Sequence, residues 1–169
     1  MDCTQTIRAR RSIRKFKPGA AVPRADIETM LEAAMMAPSA CNARPWEFFV
    51  AENPEIKEKL RAAHPYASML EDASLAIVAC ARPEDQTGVC EGYWPLDCGA
   101  AVENLLLQAA ALGYGTCWCG CWPAMDRVEA IQAILNTQSV PAALIAVGVP
   151  DESPEARGGY DPGKVTWLT

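Results

Sequence analysis

Apolar residues recur at helical spacing in residues 24–37, RADIETMLEAAMMA, where Ile27, Met30, Leu31, Ala34 and Met35 share one face. Pro23 just ahead suits a helix start and Pro38 ends it. The Met30, Met35 and Met36 group reads as core filling rather than a cofactor box. WEFFVA (46–51) reads as a strand, and Asn53-Pro54 then caps a helix to about Ala63. LAIVACA (75–81) is a short apolar run of the kind found in central strands. Residues 95–112 form the strongest helix, apolar nearly all round and therefore buried, with Gly113 closing it as a C′ glycine.

GTCWCGC (115–121) is a strand candidate, and Asp126 with Glu129 makes a capping-box-like start for a helix to Leu135. AALIAVGV (142–149) is the last strong strand. The final twenty residues, 150–169, are rich in Pro and Gly and read as an extended tail. With no repeat and no linker, 1–169 reads as one domain. Four strands and about five helices that alternate only in part predict a mixed α+β or α/β layered architecture.

Composition narrows the function. The 169 residues are 50% hydrophobic, enough for a real core and too many for a disordered chain. A net charge of −6 argues against a general nucleic-acid binder, which needs a broad basic surface. Residues 105–125 carry no charge, but Gln108, Thr116, three glycines and Pro123 make them the end of a helix, a turn and a buried strand rather than a membrane span. Eight cysteines invite a disulfide reading, yet MDCTQTIRARR lacks the apolar core of an export signal. The expectation is a cytoplasmic protein with reduced thiols.

Against the acidic background, RARRSIRKF (8–16) packs four arginines and a lysine around a serine. In an extended segment Arg10, Ser12 and Arg14 share one side, and guanidinium forks with a hydroxyl match the oxygens of a phosphate monoester. The alternatives are a solvated charged face or a nucleic-acid patch. A second loop, APSACNARPW (37–46), offers a hydroxyl, a carboxamide and backbone groups suited to the polar edge of a heterocycle. The single histidine, His64, stands beside Pro65 at a polar helix end and reads as a surface residue. With no G-x-S-x-G elbow, hydrolase readings are weak. No G-x-G-x-x-G or G-x₄-G-K-[ST] fingerprint occurs either. Cys117, Cys119 and Cys121 would face one side of a strand, with Trp118, Gly120 and Trp122 on the other. They read as buried structural thiols, and a non-enzymatic cysteine-rich metal-binding or thiol redox protein is the competing function.

RRSIRKF (10–16), APSACNARPWEFFV (37–50), AVENLLLQAAALGYGTCWCG (101–120), VPAALIAVGVPDESP (140–154) and GYDPGKVTW (159–167) together resemble the FMN-dependent nitroreductase family. The resemblance implies an α+β fold of layered sheet and helices, assembled as an intertwined homodimer with an FMN at each of two interface sites. It implies that Arg10 and Ser12 hold the phosphate and ribityl end, with Arg11 adjacent and Arg14 at the pyrimidine edge. Pro38, Ser39, Ala40 and Asn42 would come from the partner subunit, and Trp118, Cys119 and Gly120 would line the flavin. Arg157 matches the first of two basic tail positions that reach the phosphate in the family, while Gly159 stands at the second. The activity implied is electron transfer from NADH or NADPH to a nitroaromatic, a quinone or a similar acceptor by a ping-pong mechanism. No catalytic side chain is needed, because the flavin carries the chemistry.

Overall fold

The computed structural model describes residues 2–168. Among them the chain forms α1 (Cys3–Ala9), α2 (Arg24–Met35), β1 (Trp46–Ala51), α3 (Pro54–Ala63), β2 (Leu75–Ala81), α4 (Trp94–Ala111), β3 (Gly115–Gly120), α5 (Met125–Leu135) and β4 (Val140–Gly148). Short 3₁₀ turns punctuate the loops. The strands make one antiparallel sheet in the order β1-β2-β4-β3. β2 is buried along its whole length, as a continuous apolar run between two strands must be.

Alternation along the strands sends side chains into two cores. On one face Ala76, Val78, Cys80, Leu144 and Ala146 meet Leu60 of α3 and Ile131 of α5. On the other, Leu75, Ile77, Ala143, Ile145 and Val147 meet Ile27, Met30 and Ala34 of α2 and Val102, Leu105, Leu106 and Ala109 of α4. The architecture is therefore three layers, helices on both sides of an antiparallel sheet.

Several ends form as their residues dictate. The Asn53 side chain accepts hydrogen bonds from the N–H groups of Glu55 and Ile56, with Pro54 at the first helical position. Gly113, at φ +91°, provides the left-handed turn after α4. Two expectations fail. Met30 is buried, but Met35 and Met36 are 47% and 77% exposed, because the inward stripe of α2 runs through Ile27, Met30 and Ala34. The α5 capping box is absent: the helix starts at Met125 with Ala124 as its uncapped N-cap, so Asp126 is already inside the first turn. α1, which the apolar pattern does not signal, ends at Ala9 and leaves Arg10, Ser12 and Arg14 in an extended stretch as expected; its own start carries a capping box between Asp2 and Gln5.

After α1 the chain turns extended and lies along the open edge of β3. The Ile13 N–H donates to the Thr116 carbonyl (2.8 Å), and Ser12 bridges Thr116 in parallel. Ile13 and Phe16 point into the core. This close approach requires Gly115: a Cβ there would stand 2.9 Å from three side-chain carbons of Ile13. Gly115→Ala should therefore lower stability by about 1–3 kcal/mol through overpacking, read as a shift of the urea midpoint at unchanged slope. An unshifted midpoint would show that the segment yields freely.

Candidate functional site

The basic segment is held by backbone bonds on both sides. Lys17 N–H donates to the Val149 carbonyl (2.9 Å), and Asp151 N–H donates to the Lys15 carbonyl (2.9 Å). The Glu152 carboxylate accepts from the N–H groups of Arg14 (2.5 Å) and Lys15 (3.1 Å). These contacts bring the start of the tail, from Pro150 on, across the segment. Between them opens a cavity of about 280 Å³ lined by Arg10, Arg11, Ser12, Arg14 and Arg157, with Glu155 as the one acidic residue on its wall. Five of the residues singled out in the sequence thus share one cleft. Arg11 is positioned by its own side chain, which donates to the carbonyls of Arg10 (2.6 Å) and Glu155 (3.3 Å). Arg10 pairs with Glu103 of α4 at 3.3 Å, an ion pair open to solvent.

Pro38, Ser39, Ala40 and Asn42 do not line this cleft within one chain. They form a separate loop whose backbone is left-handed at Cys41 (φ 52°), Asn42 (φ 55°) and Arg44 (φ 50°). Such a conformation costs about 1–3 kcal/mol per non-glycine residue, so the loop needs internal ties. Arg44 supplies two: its N–H donates to Ser39 Oγ (2.9 Å) and its Nε to Asn42 Oδ1 (3.0 Å). The Asn42 amide nitrogen is left facing outward as a donor. The Ala40 N–H, by contrast, turns inward to Asp97, 3.1 Å from either carboxylate oxygen.

β3 continues from Thr116, where the basic segment docks, to Trp118, Cys119 and Gly120. The facing is as expected: Cys117, Cys119 and Cys121 are buried, while Trp118 and Trp122 are each 41% exposed and Gly120 is exposed. A hydrogen bond from Cys119 brings the Cys117 thiol down to about 7, against the effect of burial and with help from the Arg14 guanidinium. Cys119 has a second acceptor for its single proton, the Tyr66 carbonyl at 3.4 Å. Burial pushes Cys121 up to about 12. Among the described residues no group of three or more His, Cys, Asp or Glu side chains has a geometry that could hold a metal ion.

His64 is not on the surface. It is 2% exposed, with Nε2 2.9 Å from the Gly120 carbonyl and Nδ1 accepting the Tyr66 N–H (3.2 Å). The second contact fixes the tautomer, since a nitrogen that accepts leaves the proton on Nε2 to be donated to Gly120. Arg127 Nη1 donates to the same carbonyl (3.0 Å) and its guanidinium stacks 5.4 Å from the centre of the Tyr66 ring. A contact 56 residues apart in sequence left no local signal.

This layout has known counterparts. The nitroreductase family model matches residues 7–65 and 62–149, and so takes in the basic segment, the 38–42 loop and all four strands. The chain belongs to the nitroreductase family. A Methanothermobacter thermautotrophicus protein provisionally named NADH dehydrogenase/NAD(P)H nitroreductase is 40% identical over 167 residues, covering 98% of this chain and 86% of that protein. Among solved structures, an FMN-dependent nitroreductase from Clostridium difficile superposes with a TM-score of 0.88 at 29% identity, over 97% of this chain and 98% of its own. A provisionally named nitroreductase from Desulfovibrio desulfuricans, solved in complex with FMN, superposes with a TM-score of 0.87 at 26% identity, over 100% of this chain and 98% of that one.

The His64 contact carries its own prediction. His64→Leu strands the Tyr66 N–H and takes one of two donors from Gly120, and should cost about 1–3 kcal/mol in urea unfolding. His64→Gln, whose amide nitrogen reaches the same carbonyl, should recover part of the loss. Equal midpoints for both variants and the wild type would show that the buried ring acts only as filler.

Proposed function

We propose that this nitroreductase-family protein is an FMN-dependent oxidoreductase that passes electrons from NADH or NADPH to a small acceptor. One observation carries the reading: four arginines and a serine line a single cleft in a chain of net charge −6. That donor set fits a phosphate monoester dianion, with charge-assisted and forked bonds available to three oxygens at once. Arg10, Ser12 and Arg157 would grip the phosphate, Arg11 would brace the ribityl end, and Arg14, near the Cys117 end of β3, would face the ring. The flavin supplies hydride and electron transfer. The chain binds it, orients it and sets its electrostatics. A cation at the pyrimidine edge favours an anionic reduced ring.

The second half of the site comes from a partner subunit. What supports this is that within one chain the 38–42 loop does not line the arginine cleft. The extended tail leaves Val165, Trp167 and Leu168 exposed, Leu168 at 95%, which is apolar surface for a second copy to cover. The functional unit is a homodimer that should bury more than about 2,000 Å². Light scattering should find no stable flavin-bound monomer at micromolar concentration. The acceptor is a flat molecule such as a nitroaromatic or quinone, reduced in a second half-reaction after the nicotinamide leaves. The half-exposed Trp118 and Trp122 rings offer it a stacking surface.

Titration of the purified protein with FMN and riboflavin tests the reading. Arg10→Ala should weaken FMN by about one to two decades and leave riboflavin, which lacks the phosphate, unchanged. Glu103→Gln should act in the opposite sense. It frees Arg10 from an exposed ion pair worth no more than about 1 kcal/mol, so FMN should tighten by up to about fivefold. A wild type that binds no flavin would overturn the reading, and an Arg10→Ala protein with unchanged FMN affinity would remove Arg10 from the site.

A further inference from the structure

Asp97 sits in the first turn of α4 and is 6% exposed, and no side chain among the described residues forms an ion pair with it. What neutralises it is local. The positive end of an 18-residue helix faces it, the Ala40 N–H lies 3.1 Å from both its oxygens, and Gln86 Nε2 donates to Oδ2 at 2.6 Å. Gln86 is itself buried, at 3% exposure, and the bond to Asp97 decides its amide orientation, leaving Oε1 buried without a partner. A carboxamide held in its unsatisfied orientation marks the Asp97 contact as the dominant one.

Among the described residues Asp97 is also the only side chain from outside the 38–44 loop that hydrogen-bonds to its backbone, while Cys90 meets the loop only at the exposed Cys41 thiol. The ties from Arg44 to Ser39 and Asn42 are internal. They fix the loop's shape but not its place. Its three left-handed residues follow directly after Ala40, at positions 41, 42 and 44. The grip on Ala40 therefore sets where the strained turn begins.

We propose that Asp97 is a positioning residue for flavin binding. It anchors the 38–44 loop through the Ala40 N–H, so that Ser39 and the Asn42 amide are presented to the flavin ring. The inference rests on the flavin reading above and goes beyond it, because Asp97 itself touches no ligand.

The test compares FMN and riboflavin dissociation constants and the midpoint potential of bound FMN across four proteins. Asp97→Ala should raise both constants by about tenfold or more and by the same factor, since the loop serves the ring and not the phosphate. The potential should shift, because the ring loses its oriented partners. Asp97→Asn can keep both bonds, with Oδ1 accepting from Ala40 and the new amide donating to Gln86 Oε1 after Gln86 rotates. It should stay within about threefold of wild type. Leu70→Ala, a buried site on the other face of the sheet, should lower the melting temperature without moving either constant or the potential. If Asp97→Ala does not fold, Asp97→Ser, whose hydroxyl is too short to span Ala40 and Gln86, takes its place with the same expectation. Loss of affinity in Leu70→Ala to the same degree would reduce Asp97 to a stability effect and overturn the inference. Unchanged constants in a folded Ala or Ser variant, or an Asn variant as weak as either, would do the same. A wild type that binds neither flavin overturns the flavin reading first, and the inference falls with it.

Discussion

Gathering four like charges into one cleft is the constraint to which the surrounding structure answers. Guanidinium groups repel one another, and an isolated run of arginines would splay into water. Here the backbone gives them no freedom to do so. The segment is bonded to β3 through Ile13 and to the chain after β4 through Lys15 and Lys17, and it is keyed into the core by Ile13 and Phe16. Carboxylates offset this only in part: Glu155 is the one acid on the cleft wall, Glu152 takes backbone N–H groups, and Glu103 pairs with Arg10. Repulsion is thus contained but not cancelled. What would complete the balance is an anion with several oxygens, which is why the cleft reads as a phosphate site and not as a salt-bridge network.

β3 is where this arrangement meets the ring end of the proposed site. Its open edge receives the basic segment, its buried face carries Cys117 and Cys119 with Cys121 just beyond, and its far end is held by two donors on the Gly120 carbonyl. Each contact uses a different part of the strand, so none competes with another. The thiols need no metal to account for them. They are small side chains that fit beneath α3 and α5, and Cys80 is pushed up by burial in the same core. Cys117 runs the other way, chiefly through the hydrogen bond from Cys119, with the Arg14 guanidinium adding to it.

Much of this was legible in the sequence because it depends on neighbours in the chain. Asn53-Pro54, Gly113 and the apolar runs of β2 and β4 act through local geometry, and they form where the residues predict. The cluster at 8–16 was conspicuous because its charge opposed that of the chain. What escaped depends on distant partners. His64 looked polar and exposed, but Gly120, 56 residues on, needed a donor. α1 has a single buried residue, Thr6, and so offers no apolar stripe; its only signal was the Asp2–Gln5 box. Asp126 and Glu129 mimicked such a box because acids are common in first turns, whether or not they cap. Asp97 was hidden for the same reason, a first-turn acid whose decisive bond is to Ala40, 57 residues earlier.

The two proposed halves of the site are built on opposite principles. The arginine half is extended in backbone, docked by isolated bridges to Thr116 and Pro150, and its specificity lies in side-chain charge. The 38–44 half is irregular, held in left-handed conformations, and its specificity lies in where a hydroxyl and an amide are aimed. A phosphate tolerates some displacement of its partners, because long guanidinium side chains can follow it and Coulomb attraction falls off slowly. A heterocycle edge does not, because neutral hydrogen bonds weaken steeply with angle. The strained loop is accordingly the half tied by a buried hydrogen-bonding side chain, Asp97, whereas the arginine segment is anchored by backbone bonds, the Glu152 carboxylate and the apolar Ile13 and Phe16.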